Sequence, residues 1–357
     1  MKNTLAFKLI VILALCLSKY ANASCFSDDS FLTLDYGLYW YGSAGNCQKA
    51  EPGEQNSFYD PNNPTIILFH GWQFGNVSSN ERTTFNAMDS DGPDIDTAAI
   101  WRVKGWNIGI MYWTQFADEL EVADAEAKIW ASNGPQGMRW LSADGNYRSN
   151  GLPQSIGDEF TREIIDNMAD FSGPNFRLSG HSLGSQLALL VSLNLHDSLI
   201  PRELQPQRVA LLDPFSTNNG KSYLGGDWVG ERMRDIAVDL KSRDVVIEAY
   251  RSSAVASTIF IGDSNDALLD EAAYTELRPW YFNALQIGEK HSAAIWHYFW
   301  SFDFDTPRVL FSNSRAISAS SSDDAVRDRM NSNRSLQHFS GMFSESPNDD
   351  VMRLIRR

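Results

Sequence analysis

The sequence is poor in cysteine and in basic residues. Three of its 357 residues are cysteine, and 45 acidic residues outnumber 30 basic ones, which gives a formal net charge of −15. No motif around the cysteines indicates redox chemistry or metal binding. A chain this acidic repels nucleic acid and anionic membrane surfaces as a whole. The composition therefore argues against a nucleic-acid-binding protein and against a metal centre built from cysteine.

The sequence also lacks an apolar run long enough for a comfortable transmembrane span. The run Leu9–Leu17 follows two lysines and precedes Ala21-Asn22-Ala23, which fits an A-x-A cleavage site. This order is typical of a secretory signal peptide. We expect residues 1–23 to be removed, which leaves no integral membrane segment and sends the protein to the extracellular space or the periplasm.

An uncleaved N-terminal anchor and a lipoprotein are the alternatives to a cleaved signal. Cys25 lies close enough to the cleavage site for a lipoprotein, but Asn22 stands where a lipobox has leucine. Cleavage removes Cys16 and leaves Cys25 and Cys47 as a pair. An even pair in an exported protein predicts one structural disulfide.

Apolar, strand-like runs alternate with segments of helical spacing through most of the chain. The strand-like runs are 64–69, 106–113, 176–181, 208–213, 245–250 and 258–261, and the helix-like segments include 94–104 and 155–171. This alternation predicts an α/β fold with a mostly parallel sheet and helices on both faces. We expect one domain over residues 24–312. A polar tail over 313–357 is expected to be partly disordered or to form short helices near 323–331 and 349–356.

Residues Gly180-His181-Ser182-Leu183-Gly184 fit the G-x-S-x-G pattern and lie between a strand-like and a helix-like run. A serine on a sharp strand-to-helix turn holds its hydroxyl clear of the backbone, and the helix N-terminus behind it adds a positive dipole. The pattern alone arises easily by chance in a chain with 24 glycines. Its position between the two runs favours Ser182 as a nucleophile.

A serine hydroxyl needs a base to take its proton, and the base needs a group to orient it. In α/β-hydrolases these residues follow the order serine, acid, histidine. His291 lies in a polar turn before an aromatic, helix-like run and is the preferred base. His297 is the alternative, although its aromatic neighbours favour a packing role.

The preferred acid is Asp213, which ends a buried strand-like run after the serine unit. A carboxylate at the carboxyl end of a strand lies where open α/β sheets place functional residues. Asp263 and Asp266 also follow a strand-like run and remain alternatives. The simplest other interpretation of Asp213 is a turn residue before Pro214.

A tetrahedral intermediate also needs two backbone N–H donors for its oxyanion. One is expected from Leu183, the residue after the nucleophile. The other is expected from Trp72, in the loop after the strand-like run 64–69. Gly71 lets the backbone of this loop turn close to a substrate.

These motifs together resemble the α/β-hydrolase lipases, most closely the pancreatic-type lipase and phospholipase A1 family. The resemblance covers roughly residues 60 to 302 and rests on four segments, which are Leu68–Trp72, Gly180–Gly184, Leu212–Pro214 and the late His291. The family implies an α/β-hydrolase fold. It also has its acid in a Leu-Asp-Pro motif and a histidine that opens a helix, which supports Asp213 and His291.

The sequence departs from this family in three respects. It is too short for the C-terminal β-sandwich of the vertebrate members, residues 114–153 look like an insertion, and the disulfides expected around a lid are absent. By position, residues 264–290 correspond to the lid. Its aromatic segment Pro279–Phe282 is expected either to meet lipid or to pack as ordinary core.

We therefore expect a secreted serine hydrolase that cleaves carboxylic ester bonds of lipids and needs no cofactor. Its expected partners are a lipid ester substrate and a lipid–water interface. A phospholipase A1 and a general carboxylesterase are alternatives within the same class. A non-catalytic lipid-binding protein on the same fold is the alternative from a different class.

Overall fold

The computed structural model describes residues 25–27, 29–87, 92–257 and 262–357. The expected signal peptide over 1–23 and the expected strand over 258–261 lie outside these residues. No helix of the described part is long and apolar enough to cross a membrane.

The chain alternates between strands and helices through most of its length. The strands are β1 Gly37–Tyr41, β2 Cys47–Lys49, β3 Thr65–Phe69, β4 Asn86–Ala87, β5 Ile95–Asp96, β6 Asn107–Tyr112, β7 Trp140–Leu141, β8 Tyr147–Arg148, β9 Phe176–His181, β10 Arg208–Leu212, β11 Val246–Arg251, β12 Ala273–Glu276, β13 Arg308–Val309, β14 Arg334–Ser340 and β15 Val351–Arg356. The helices are α1 Asn76–Ser79, α2 Thr97–Val103, α3 Thr114–Ala117, α4 Val122–Trp130, α5 Ile156–Asn167, α6 Gly184–Leu195, α7 Val229–Ser242, α8 Asp266–Asp270, α9 Ile287–Ser301 and α10 Asp323–Met330.

Within the described residues, eleven strands form one mixed sheet in the order β13-β15-β14-β12-β11-β10-β9-β3-β6-β1-β2. The strands from β6 through β3, β9, β10, β11 and β12 to β14 run parallel. Antiparallel pairing occurs toward the two edges, where β1 pairs with β6 and β15 pairs with β14. The carboxyl ends of the central strands therefore meet at one edge of the sheet.

The central strands are buried along their whole length. Every residue of β3, β6, β9 and β10 is buried, which explains why β3, β6 and β10 are largely apolar runs. Strand β9 differs, because its polar residues Arg177, Ser179 and His181 are buried as well. Helices α5 and α7 pack against α6, while α2 packs against α9. The α/β architecture expected from the sequence, with a mostly parallel sheet and helices packed against it, is confirmed.

Residues 313–357 differ from the polar, partly disordered tail that we expected. The helix near 323–331 forms as α10, but residues 351–356 form strand β15, not a helix. This strand pairs with β14 and inserts the segment into the main sheet. The cause is a few buried apolar side chains, including Leu336 and Met352, spread among many polar ones. Their partners lie on distant segments, so composition alone underestimates the order of this region.

A disulfide joins Cys25 to Cys47, the first residue of β2, and the two Cα atoms lie 5.2 Å apart. This is the pairing that we expected from the two cysteines beyond the signal segment. The bond ties the N-terminal residues to the edge strand of the sheet.

A buried ion pair connects the sheet to helix α9. The guanidinium of Arg208 donates to both carboxylate oxygens of Glu248, at 2.7 and 2.8 Å, and both side chains are fully buried. Tyr298 of α9 donates to the same carboxylate at 2.7 Å. Arg208 also donates to the carbonyls of Ser318 and Ser321, so it holds the C-terminal segment against β10.

Replacing Arg208 by methionine should strongly destabilise the protein. The variant leaves the Glu248 carboxylate buried without its cation, and loss of one partner of a buried pair costs about 3–5 kcal/mol. Urea unfolding measures the change. The control is Arg243→Met, which removes an exposed pair with Asp239 and should cost less than about 1 kcal/mol. Equal losses for the two variants would contradict the assignment.

Candidate active site

Ser182 lies in a sharp turn between β9 and α6. Its φ of 55° is in the left-handed region, which non-glycine residues seldom occupy. Its N–H donates to the carbonyl of Leu212 at 3.1 Å, so the turn is bonded to the end of the neighbouring strand β10. A strained backbone held by its surroundings is typical of functional sites. The turn matches the strand-to-helix elbow that the sequence pattern predicted.

The two glycines of the pattern are required by close backbone contacts. A Cβ atom on Gly180 would lie 2.0 Å from the carbonyl oxygen of Gly184, and a Cβ atom on Gly184 would lie 2.0 Å from the carbonyl oxygen of Phe69. Both distances are far below van der Waals contact. Any side chain at either position would push the elbow helix away from the sheet, which explains why the pattern needs glycine at both ends.

The structure brings Asp213 and His291 together. Asp213 follows β10, and its Oδ2 lies 2.6 Å from Nδ1 of His291. Both side chains are buried. This contact occupies Nδ1 of the imidazole, so Nε2 is the nitrogen left for chemistry.

The Asp213 carboxylate has further donors on the segment after β11. Its Oδ1 accepts from the N–H groups of Ser252 and Ser253, at 2.9 and 3.3 Å, and its Oδ2 accepts from the hydroxyl of Ser253. Burial raises the pKa of Asp213, but the bond and charge of His291 and the bonds from these serines outweigh burial and hold the pKa below its usual value. The carboxylate is therefore ionised at neutral pH.

His291 lies in the second turn of α9 and not in the loop that we expected before a helix. Its carbonyl accepts from Nε2 of His181 at 3.1 Å, and the two rings lie 4.3 Å apart between centroids. Burial holds the pKa of His181 well below its ordinary value, so this ring is neutral. Since a carbonyl can only accept, the proton of His181 lies on Nε2. The residue before Ser182 thus contacts the helix that carries His291.

The loop after β3 faces the serine. A Cβ atom on Gly71 would lie 2.7 Å from Cβ and 3.2 Å from Oγ of Ser182, so the glycine allows this close approach. Within the described residues, no backbone or side-chain oxygen accepts from the N–H of Trp72 or of Leu183. Both groups remain available as donors, which is what an oxyanion site requires.

His70 fixes the conformation of this loop. Its Nε2 accepts from the N–H of Trp113 at 3.0 Å, and its Nδ1 lies 2.9 Å from the carbonyl of Gly71. Burial lowers the pKa of His70 to about 3, so the ring is neutral, with its proton on Nδ1. The ring therefore holds the Gly71 carbonyl in one orientation, and with it the peptide that ends at the N–H of Trp72.

The alternative residues lie elsewhere. Nε2 of His297 contacts Oδ2 of Asp350 at 2.8 Å, away from Asp213. Asp263 lies beside Gly230 near the start of α7, where it accepts from the N–H of Asn265. Asp266 pairs with Arg251 and is exposed. The geometry therefore favours Asp213 and His291 over each rival.

Sequence reasoning missed Ser253, His181 and the support that His70 gives to its own loop. Two consecutive serines after a buried strand were the only local signal for Ser253. Residues 114–153 were interpreted as an insertion, yet their first part contacts the loop after β3.

Within the described residues, no group of three or more His, Cys, Asp or Glu side chains is arranged to hold a metal ion.

The sequence matches no protein family and no curated protein. Among solved structures, the thioesterase domain from the curacin biosynthetic pathway is 12% identical over 59% of this chain and 55% of that chain, with a TM-score of 0.25. An extracellular α/β-hydrolase from a Paenibacillus species is 12% identical over 60% of this chain and 89% of that chain, with a TM-score of 0.27. The esterase Est2 from Thermogutta terrifontis is 13% identical over 56% of this chain and 54% of that chain, with a TM-score of 0.24. The aligned region spans about half of several of these structures, such as 45% of a hypothetical protein from Pseudomonas aeruginosa PAO1. These similarities are weak, so the assignment of the site rests on its geometry.

Ser253→Ala should destabilise the protein in a pH-dependent way. Hydrogen bonds to a charged group contribute about 1.5–3 kcal/mol. Because the folded pKa of Asp213 lies below its unfolded value, the stability linked to its ionisation is present at neutral pH and is lost as the pH falls through the folded value. Urea unfolding at pH 7 and at pH 3 should therefore give a smaller deficit at pH 3. An exposed serine pair supplies the control, Ser312→Ala, whose small effect should not depend on pH. A deficit that stays constant with pH would contradict the role of Ser253.

Proposed function

We propose that this protein is a serine hydrolase that cleaves carboxylic ester bonds of lipids through an acyl-enzyme. The observation that supports this most directly is the left-handed turn at Ser182, which is faced by Gly71 and lies beside the buried Asp213–His291 pair. In this arrangement Ser182 is the nucleophile, His291 is its base and Asp213 is the acid that orients the base. Within this class we favour a triacylglycerol lipase related to the pancreatic-type lipase and phospholipase A1 family.

The proposed reaction uses each group once in acylation and again in deacylation. Ser182 attacks the ester carbonyl while Nε2 of His291 takes the hydroxyl proton. The carboxylate of Asp213 holds the imidazole by Nδ1 and stabilises its charged form. The N–H groups of Trp72 and Leu183 bind the oxyanion. His291 then protonates the leaving alcohol, and water releases the acyl group with His291 again as base. Ester, serine and water supply all atoms, so the scheme needs no cofactor.

Exposed apolar side chains near α9 support a lipid substrate. Trp280 is 46% exposed, Leu285 87% and Phe343 75%, and the rings of Trp280 and Phe343 lie 5.6 Å apart. Ile287 begins the helix that carries His291 and is itself partly exposed. Exposed large apolar groups close to one another mark interaction surfaces. Of the aromatic segment 279–282, Trp280 therefore fits the lipid interpretation, while Phe282 is buried as core.

We propose that the protein acts outside the cytoplasm. The disulfide between Cys25 and Cys47 supports this, because such bonds persist in oxidising compartments. The signal peptide over 1–23 and its removal stay predictions, and N-terminal sequencing of the exported protein tests them.

Ser182→Ala should reduce hydrolysis of p-nitrophenyl butyrate by about a thousandfold or more, because the acyl-enzyme can no longer form. The matched control is Ser192→Ala in helix α6, which follows the Ser182 turn; its buried hydroxyl has no partner within the described residues. It should keep wild-type activity. Equal activity of Ser182→Ala and the wild type would show that the proposed nucleophile is wrong.

Labelling with a fluorophosphonate separates the enzyme from a non-catalytic lipid-binding protein. A hydrolase should form a covalent adduct that maps to Ser182 and disappears in Ser182→Ala. A panel of triacylglycerols, phosphatidylcholines and short p-nitrophenyl esters then distinguishes a lipase from a phospholipase A1 and from a carboxylesterase. Lipid binding without any adduct would favour the non-catalytic alternative.

Replacing Trp280 and Phe343 together by serine should reduce hydrolysis of lipid at an interface and leave hydrolysis of a dissolved ester unchanged. Each buried apolar side chain contributes about 1.5–3 kcal/mol, so binding to phosphatidylcholine vesicles should fall tenfold or more. Hydrolysis of emulsified trioleoylglycerol should fall with it, while p-nitrophenyl butyrate should be cleaved at the wild-type rate. Leu199→Ser removes an exposed apolar group from the loop after α6 and serves as control. Parallel losses on both substrates would instead indicate damage to the site.

A further inference from the structure

Residues 113–119 run beside the loop that carries Trp72 and bond to it along its length. The N–H of Trp113 donates to His70, and the carbonyl of Ala117 accepts from the N–H of Gln73 at 3.3 Å. The indole Nε1 of Trp72 donates to the carbonyl of Glu119 at 2.7 Å. The loop is therefore shaped by this neighbouring segment as well as by its own sequence.

The carboxylate of Asp118 accepts two hydrogen bonds from the far end of the loop, at Gly75 and Val77. Its Oδ1 accepts from the N–H of Gly75 at 2.8 Å, and its Oδ2 accepts from the N–H of Val77 at 2.9 Å. The side chain is almost fully buried. Gly75 has a φ of 87°, so the loop reverses direction at the residue that Asp118 holds.

The next residue anchors the segment to the body of the protein. Glu119 is fully buried and pairs with Lys128 at 2.6 Å and with Arg139 at 2.5 Å. Burial raises the pKa of Glu119, but its bonds to Arg139 and Lys128 outweigh burial and keep it below its usual value. Asp118 is thus held on a fixed support. It is not part of a mobile surface loop.

We propose that Asp118 is a positioning residue for the oxyanion site. Its carboxylate fixes the loop 72–77 so that the N–H of Trp72 points at the reacting carbonyl. This inference rests on the proposed function, and it assigns a catalytic purpose to residues that the sequence presented as an insertion. Among the described residues, no hydrogen bond or ion pair joins Asp118 to Ser182, Asp213 or His291, so its proposed effect is transmitted through the loop.

Burial is the main cause that raises the pKa of Asp118 to about 6, while its two N–H bonds lower it. Assays at pH 8 therefore examine the ionised carboxylate. Replacing the carboxylate of Asp118 by an amide tests the role of this carboxylate with little change in side-chain volume. In Asp118→Asn one former acceptor becomes an NH₂ group, which cannot accept from Gly75 or Val77.

The experiment compares wild type, Asp118→Asn and Glu121→Gln at pH 8. Glu121 is exposed, lies two residues after the segment 113–119 and makes no capping bond, so its variant removes the same charge without removing a hydrogen bond. For p-nitrophenyl butyrate, kcat of Asp118→Asn should fall about tenfold to a hundredfold while KM stays within about twofold. This split is expected because a displaced oxyanion donor affects the transition state more than the ground state. Glu121→Gln should behave as wild type.

Two further measurements separate positioning from general damage. The rate of phosphonylation of Ser182 should fall in parallel with kcat, because the adduct places an oxygen in the oxyanion site. Amide hydrogen exchange should become faster in residues 72–79 of Asp118→Asn and stay unchanged in α6 and α9. Faster exchange throughout the protein would indicate general destabilisation and would overturn the proposal.

The remaining outcomes are also decisive. Unchanged exchange in residues 72–79 would show that the carboxylate does not hold the loop. Faster exchange with unchanged kcat would show that the loop is held but that its position does not set the rate. A wild-type protein that cleaved no ester and took up no phosphonate would refute the proposed function and the catalytic part of this proposal, while exchange would still report on the loop contact.

Discussion

The site depends on how closely three stretches of backbone approach one another at the end of β9. Gly180, Gly184 and the carbonyl of Phe69 meet at distances that leave no room for a side chain. The register of the sheet sets the rest. Phe69 lies opposite Gly180, and Leu212 lies opposite His181. The next residues of each strand therefore emerge at the same level of the carboxyl edge, which brings the loop after β3, the serine turn and Asp213 side by side without any long connection.

Several polar groups behind this edge are buried and contact partners that lie far away in sequence. Glu248 receives bonds from Arg208, Tyr250 and Tyr298, and so connects two strands with the helix of His291. Buried ion pairs give little net stability, because desolvation offsets most of the attraction. Their effect here is to fix geometry. Tyr298 lies two helical turns after His291, so the bond to Glu248 restricts both the rotation and the axial position of that helix.

The parts of the fold and site that were predictable from the sequence are those encoded locally. Each of three features is indicated by a pattern of about ten consecutive residues. They are the strand–turn–helix around Ser182, the Asp-Pro pair after β10 and the loop after β3. His291 was selected by its order in the chain, but its place inside α9 was not foreseen, because glycine and charged residues in the first helical turn look like a loop. The charged residues Glu119, Glu126 and Lys128 are typical of a solvated surface, yet all three are buried. Their partners lie on other segments, and no local pattern reveals such pairing. Strands β14 and β15 were not predicted for the same reason, because their partners lie on distant segments.

The strand order at one edge of the sheet has a consequence for the kinetics of folding. Among the strands of the described residues, β13 pairs only with β15, although β15 comes about 40 residues later in the chain. Residues 308–309 therefore cannot join the sheet until 351–356 have been synthesised and have paired with β14. Non-local pairing of this kind is slow, because the entropy cost of loop closure precedes the stabilising contacts between the strands. Until β14 has been synthesised, β12 is an open edge strand, and an unpaired strand edge is prone to wrong pairing with other chains.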